Sequence, residues 1–272
     1  MPVDPTKSGP PPSKHRPDRT WTYKSVGGLE LKAFGFSPKQ DKPEEGRGAF
    51  LFFHPGGWSM GEPAWGFDLC HRYAGLGMEA ISFQYRLSSI GGHTPADAVS
   101  DARSAVRWTR QHADVLGIDP NRLVGAGISA GAHLALSAAM LSNLDDPLDD
   151  PAFSPVPNAL VLQCAPVASA SDSQFGELLQ GKARPEDFSP AHHVKPGLPP
   201  MCLVHSKADE IVPYNSVKEF VTKMKEAGNH CELYTFEEAD HFFSKKSDQV
   251  EALGAMDGFL LGLGYLERKS AR

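Results

Sequence analysis

Cysteine is scarce, with four among 272 residues, and no two of them form a Cys-x-x-Cys pair. That removes both a disulfide-built scaffold and a thiolate zinc site of ordinary spacing. Three of the four fall in apolar runs, so buried, reduced thiols are expected at Cys70, Cys164, Cys202 and Cys231. Only a Cys202–Cys231 pairing, across two runs that can lie side by side, stays open. No apolar run approaches the roughly 20 residues that span a bilayer, and no basic-then-apolar leader opens the chain. The expectation is a soluble protein, cytoplasmic by default and secreted if the chain is a trimmed form. Charge of one sign is never massed: 27 Lys and Arg are interspersed with 33 Asp and Glu for a net charge of -6. Without a basic stripe, neither nucleic acid nor a membrane is an expected partner, and composition leaves the oligomeric state unassigned. There is no His-Glu-x-x-His and no carboxylate array, so no cofactor or metal is expected; the acidic run from Asp145 to Asp150 reads as a solvated turn. Residues 176–183 start like a phosphate-binding loop but end on Ala183 and follow no buried strand.

What is present is ordinary core material, 40% hydrophobic and 22% charged, without internal repeats or an interior linker. Residues 1–19, rich in Pro, Lys, Ser and Asp, read as a flexible tail, and residues 20–272 as a single domain. Residues 21–25 and 29–36, parted by Val26-Gly27-Gly28, predict an antiparallel hairpin. Beyond it, short apolar runs at 49–53, 80–83, 123–128, 159–164, 201–205 and 232–236 predict strands buried on both faces. Helical stretches at 96–116, 130–141, 215–227 and 247–263 alternate with them, with Gly117 and Gly228 placed as helix stops. This βαβ succession predicts an α/β fold with a mostly parallel, doubly wound sheet, whose site lies at the carboxyl ends of the strands.

Chemistry-bearing residues cluster at those strand ends. Gly127-Ile128-Ser129-Ala130-Gly131 joins a strand to a helix, the setting in which a strained turn presents a serine as nucleophile and the helix N-terminus favours developing negative charge. His54-Pro55-Gly56-Gly57-Trp58 follows another strand and offers backbone donors for an oxyanion. Pro55 has no N–H, so the expected donors are Gly56, Gly57 and Ala130. After Ser129 come Asp209 and then His241, each just beyond a predicted strand: a base to take the serine proton and a carboxylate to orient it. Asp240 and Glu210 are rivals for the acid, His205 and His133 for the base. Asp240 adjoins His241 on one loop, Glu210 is displaced from the post-strand position, and His133 reads as a core histidine.

With these segments in view the chain resembles the α/β-hydrolase esterases, and among them compact bacterial carbohydrate esterases such as acetyl-xylan and feruloyl esterases. Gln84-Tyr85-Arg86-Leu87, Asp101-Ala102-Arg103, Val106-Arg107-Trp108 and 117–122 extend the match, with Arg86 and Asp101 read as a structural ion pair. The resemblance implies the α/β-hydrolase fold with Ser129, Asp209 and His241 as triad, and a small lid within the 36 residues between Cys164 and Met201. It implies hydrolysis of short-chain or aromatic acyl esters, including esters of plant polysaccharides, with Trp58 and Phe242, and Trp65 beside them, as aromatic substrate contacts. An arylformamidase-like amide hydrolase and a non-catalytic binding module on the same fold are the alternatives.

Overall fold

Two strands, Arg19–Val26 (β1) and Leu29–Phe36 (β2), turn on Gly27 and Gly28, whose φ values of 57° and 81° suit residues without a Cβ. The computed structural model describes residues 13–40, 43–142 and 144–267. The elements that follow are Arg47–Phe53 (β3), Phe67–Gly75 (α1), Glu79–Phe83 (β4), Pro95–Gln111 (α2), Ala113–Leu116 (α3), Ile118–Ile128 (β5) and Ala130–Met140 (α4). Ala159–Gln163 (β6), Ser173–Leu178 (α5), Met201–Ser206 (β7), Tyr214–Glu226 (α6), Cys231–Phe236 (β8) and Lys246–Gly262 (α7) complete the series. Among the described residues eight strands form one sheet in the order β1-β2-β4-β3-β5-β6-β7-β8, with β2 antiparallel to both its neighbours and all later pairings parallel. This is the α/β-hydrolase fold.

Strand alternation sends β3 to two separate cores. Ala49, Leu51 and Phe53 join the layer under α2, α4 and α6, whereas Phe50 and Phe52 join Tyr73 of α1 and Met256 and Phe259 of α7 on the other face. Every expected strand and helix is present, with ends shifted by a few residues. The helix expected over 96–116 breaks at His112 into α2 and α3, and Gly117 and Gly228 stop helices at φ 72° and 79°. Helix α1 was missed by the sequence reading, although Phe67, Cys70, Tyr73 and Ala74 place a buried stripe at helical spacing.

Two expectations are corrected. Residues 1–12 of the expected tail lie outside the described residues, but 13–19 are not loose. Ser13 Oγ donates to Asp68, His15 stacks on His71 with centroids 3.6 Å apart, and Asp18 N–H donates to Gly35 O at 2.8 Å, extending the β1–β2 ladder. The acidic run is not simply solvated, because α2 presents Arg103 and Arg107 one turn apart to Asp145, while Lys24 meets Asp146 at 2.9 Å. Cys202 and Cys231 do lie on adjacent strands, but Cys202 is in register with Glu232 and Cys231 with Met201, so the thiols face opposite cores and all four cysteines are free. The Arg86–Asp101 ion pair is present, two-pronged and buried, at 2.8 Å from Nε and 2.7 Å from Nη2, with Lys24 adding a third contact at 2.9 Å. Among the described residues no helix is long and apolar enough to cross a membrane.

Candidate active site

Between β5 and α4 the chain reverses in one residue: Ser129 sits at φ 53°, ψ −123°, a region that costs an L-residue about 1–3 kcal/mol. Two close approaches make the turn possible. A Cβ on Gly127 would lie 2.3 Å from the carbonyl carbon of Gly131, and one on Gly131 would lie 2.0 Å from Phe53 O. The strain is offset by fixed backbone bonds, Ser129 N–H to Gln163 O at 2.9 Å and His133 N–H to Ser129 O at 3.0 Å.

The hydroxyl meets its expected partners. Ser129 Oγ is 2.9 Å from His241 Nε2, and His241 Nδ1 is 2.8 Å and 3.0 Å from Asp209 Oδ2 and Oδ1. Asp209 leaves the end of β7 on a short loop whose Ile211 and Val212 N–H groups both donate to Oδ1 at 2.9 Å. Burial by itself raises the Asp209 carboxyl, but bonds from His241, Val212 and Ile211 outweigh it and hold the group below its ordinary value, so it stays ionised. His241 leaves β8 on a loop ordered by Asp240, whose Oδ1 accepts the Phe242 and Ser244 N–H groups at 2.9 and 3.1 Å. Asp240 is thus engaged away from the imidazole, and Glu210 is exposed. His205 is committed elsewhere: its Nε2–H donates to Val212 O at 2.9 Å and closes the loop that carries Asp209.

Across the sheet end, Gly56, Gly57 and Trp58 have φ values of 134°, 54° and 57°, a run of left-handed backbone that turns the loop toward the elbow. Among the described residues no acceptor engages the N–H of Gly56, Gly57 or Ala130. Tyr85 braces the loop from behind, donating to His54 O at 2.9 Å with its ring stacked on the imidazole at 4.2 Å. Trp58 requires a correction. Instead of facing substrate it is 3% exposed, edge-on to His133 and Phe175, and its Nε1–H donates to His133 Nδ1 at 3.2 Å. Phe242 is 58% exposed and edge-on to His241. The sequence reading gave His133 no part beyond the core, because its partners Trp58, Ser169 and Phe188 lie far along the chain. The pairing of Ser169 Oγ with His133 Nε2 at 3.3 Å has no carboxylate and is fully buried, so it is not a second triad. Cys164, His205 and Asp209 form a buried group of metal-type donors, with Asp209 and His205 already engaged by His241 and Val212.

Two cavities border the loops that carry this centre, without being lined by Ser129, His241 or Asp209 themselves. One, of about 410 Å³, is lined by Phe50, Phe52, Trp65 and Leu69 together with Asp68, Arg72, Gln163 and Gln249, and reaches Ile128 and Phe242, the chain neighbours of Ser129 and His241. The other, of about 440 Å³, lies between the lid and the acid loop, where Ser169, Ser171, Asp172, Gln174, Ser216 and Glu219 present polar groups beside Ile211 and Val212. The lid is α5 with three single 3-10 turns, pinned to the core by the buried Phe175, Leu179 and Phe188.

The chain is similar in structure to esterase 2 of Thermogutta terrifontis in its apo form, with a TM-score of 0.87 and 38% identity over 92% of this chain and 96% of that one. That enzyme has also been solved phosphoramylated by tabun, and with propionate and with butyrate bound. Among curated proteins, the probable carboxylic ester hydrolase LipM of Mycobacterium tuberculosis is 27% identical over 70% of this chain and 48% of its own length. Esterase LipQ of the same organism is 28% identical over 83% of this chain and 58% of its own length. The chain spans about half the length of the curated relatives it matches. The BD-FAE family matches residues 36–224 of the 272. The chain belongs to the BD-FAE family, and it brings Ser129, His241 and Asp209 into one hydrogen-bonded line.

Proposed function

We propose that the chain cleaves esters of short-chain or aromatic acids whose alcohol is polyhydroxylated, such as the acetyl and feruloyl esters of plant polysaccharides. Ser129 Oγ attacks the ester carbonyl as His241 Nε2 takes its proton, and ionised Asp209 favours the imidazolium that results. The carbonyl oxygen, now negative, moves toward the N–H groups of Gly56, Gly57 and Ala130, which stand at a helix N-terminus and a left-handed loop. Collapse of the tetrahedral adduct expels the alkoxide, which recovers the proton from His241. Water then attacks the acyl-enzyme by the same route and releases the acid.

The observation that carries the substrate class is the contrast between the two cavities. The aromatic-rich cavity, whose rim also carries Asp68, Arg72, Gln163 and Gln249, suits an acyl chain or ring, and the one where serine hydroxyls, carboxylates and an amide mix with Pro166, Ile211 and Val212 suits an alcohol with many hydroxyls. Propionate and butyrate bound to the Thermogutta esterase support a short acyl group. The test is a substrate panel for the purified protein: p-nitrophenyl esters of rising chain length, methyl ferulate, a feruloylated sugar, acetylated xylan and N-formylkynurenine. Expected are highest kcat/KM on two- to four-carbon and aromatic acids and a preference for the sugar ester over the methyl ester of the same acid. Ser129→Ala should lower kcat by about 10⁶-fold. Equal rates on methyl and sugar esters would sink the alcohol-side reading, and a preference for N-formylkynurenine over every ester would move the chain to amide cleavage.

A further inference from the structure

His133 lies one turn into α4, with no exposed surface, and holds two parts of the site that are remote in sequence, the loop at Trp58 and the lid. Its Nδ1 faces Trp58 Nε1 at 3.2 Å. An indole N–H only donates, so Nδ1 must be the unprotonated nitrogen. The proton is therefore on Nε2, which donates to Phe188 O in the lid at 2.9 Å, and Ser169 Oγ donates to the same carbonyl at 3.2 Å. Phe175 packs edge-on against both rings, at 5.2 Å from His133 and 4.9 Å from Trp58. Burial lowers the His133 pKa to about 4, so the imidazole is neutral and this tautomer is fixed through the ordinary working range.

The consequence is mechanical. Trp58 directly follows Gly57, and three consecutive residues of that loop hold left-handed backbone that relaxes easily once released. Trp58 is anchored at two points, by its carbonyl, which accepts the Ser88 N–H at 2.9 Å, and by its indole nitrogen on His133. Because α4 begins at Ala130, the helix that supplies one oxyanion donor also fixes, through His133, the loop that supplies the others.

We propose that His133 is a positioning residue that sets the distance between the two halves of the oxyanion site and locks the lid to both, through Trp58 Nε1–H on one side and Phe188 O on the other. It touches neither substrate nor the reacting atoms. The inference rests on Gly56 and Gly57 being oxyanion donors. The effect belongs to the transition state, since the ground-state carbonyl makes weaker use of these donors than the oxyanion does.

The decisive variant is Trp58→Phe, which keeps an aromatic ring in place and deletes the one N–H that His133 holds. With p-nitrophenyl acetate it should lose on the order of tenfold in kcat with KM within about twofold. His133→Ala should lose at least as much, His133→Gln, which offers an acceptor and a donor at similar reach, should recover part of the loss, and Trp58→Phe/His133→Ala should be no worse than His133→Ala alone. If His133→Ala fails to fold, Trp58→Phe and His133→Gln still decide the matter. A folded Trp58→Phe with unchanged kcat, a loss confined to KM, or additive losses in the double variant would overturn the inference. Full activity in Ser129→Ala would instead overturn the esterase mechanism itself, so the two failures are distinguishable.

Discussion

The two oxygens of Asp209 have different partners, and the difference gives a sharp prediction. Oδ1 accepts both the Ile211 and Val212 N–H groups, so in Asp209→Asn the amide oxygen must occupy that position and the NH₂ must take the place of Oδ2, 2.8 Å from His241 Nδ1. An NH₂ there donates to Nδ1, forces the proton onto Nε2, and leaves His241 unable to accept the Ser129 proton. Asp209→Asn should therefore fold normally and lose about 10³- to 10⁴-fold in kcat, measured as steady-state turnover beside an unchanged near-UV spectrum. A loss below tenfold would show that tautomer control is not the carboxylate's role. The triad was legible in the sequence because strand, turn and residue type coincide at Ser129, Asp209 and His241. The inward placement of Trp58 was not, because an aromatic after two glycines can face cleft or core equally well, and what decides it is contact with His133 and Phe175, which only the fold brings near.

At the scale of elements, α4 is driven unusually deep against β3. Gly131 is the contact point: an added Cβ would lie 2.0 Å from Phe53 O and 2.6 Å from His54 O, both backbone atoms that cannot yield without moving the oxyanion loop. Gly131→Ala should cost several kcal/mol, on the order of a large core overpacking or more, and should cut activity even where the protein still folds. Gly254→Ala is the matched control, since Gly254 is exposed on the outer side of α7 with nothing within 4 Å of its Cβ and should gain about 0.5–1 kcal/mol from helix propensity. Urea midpoints of the two variants and the parent check both signs; equal midpoints would refute the close-approach account. The buried parallel strands were easy to find because both faces are apolar. Helix α1 escaped because Gly66, Gly75 and Gly77 crowd its ends and the polar Asp68, His71 and Arg72 dilute a single short stripe. Ser13 to Asp18 escaped for a related reason: their composition is that of a linker, and the ladder bond of Asp18 N–H to Gly35 O is invisible to composition.

For the whole molecule, carboxylates shifted in opposite directions set the pH dependence of stability. Asp209, held below its ordinary value of 3.8, contributes stability that is present above that value and is lost as pH falls through the folded-state pKa. Asp145, lowered to about 2 by its bonds to Arg107 and Arg103 against the effect of burial, behaves in the same way. Glu79 has the reverse sign. It opens β4 at 3% exposure, with Ser37 Oγ at 3.0 Å from Oε1; burial raises its carboxyl to about 7 from 4.5, despite Ser37, Arg19 and Arg47 pulling it down. The folded state therefore prefers the protonated acid, so stability is greatest below about 4.5 and falls as pH rises from there through 7. The ionised carboxylate should cost the fold on the order of 3 kcal/mol above that window. Glu79→Gln keeps the Ser37 acceptor and removes the charge, so its Tm should exceed that of the parent at pH 8. The gap should narrow steadily toward pH 5, a range in which Asp209 and Asp145 stay ionised and add no slope of their own. Thermal melts of both proteins across pH 5 to 8 give the comparison directly. A gap that is absent at pH 8, or constant across the range, would mean that the Glu79 carboxylate is solvated in the folded protein and that this edge of the sheet is more open than its 3% exposure indicates.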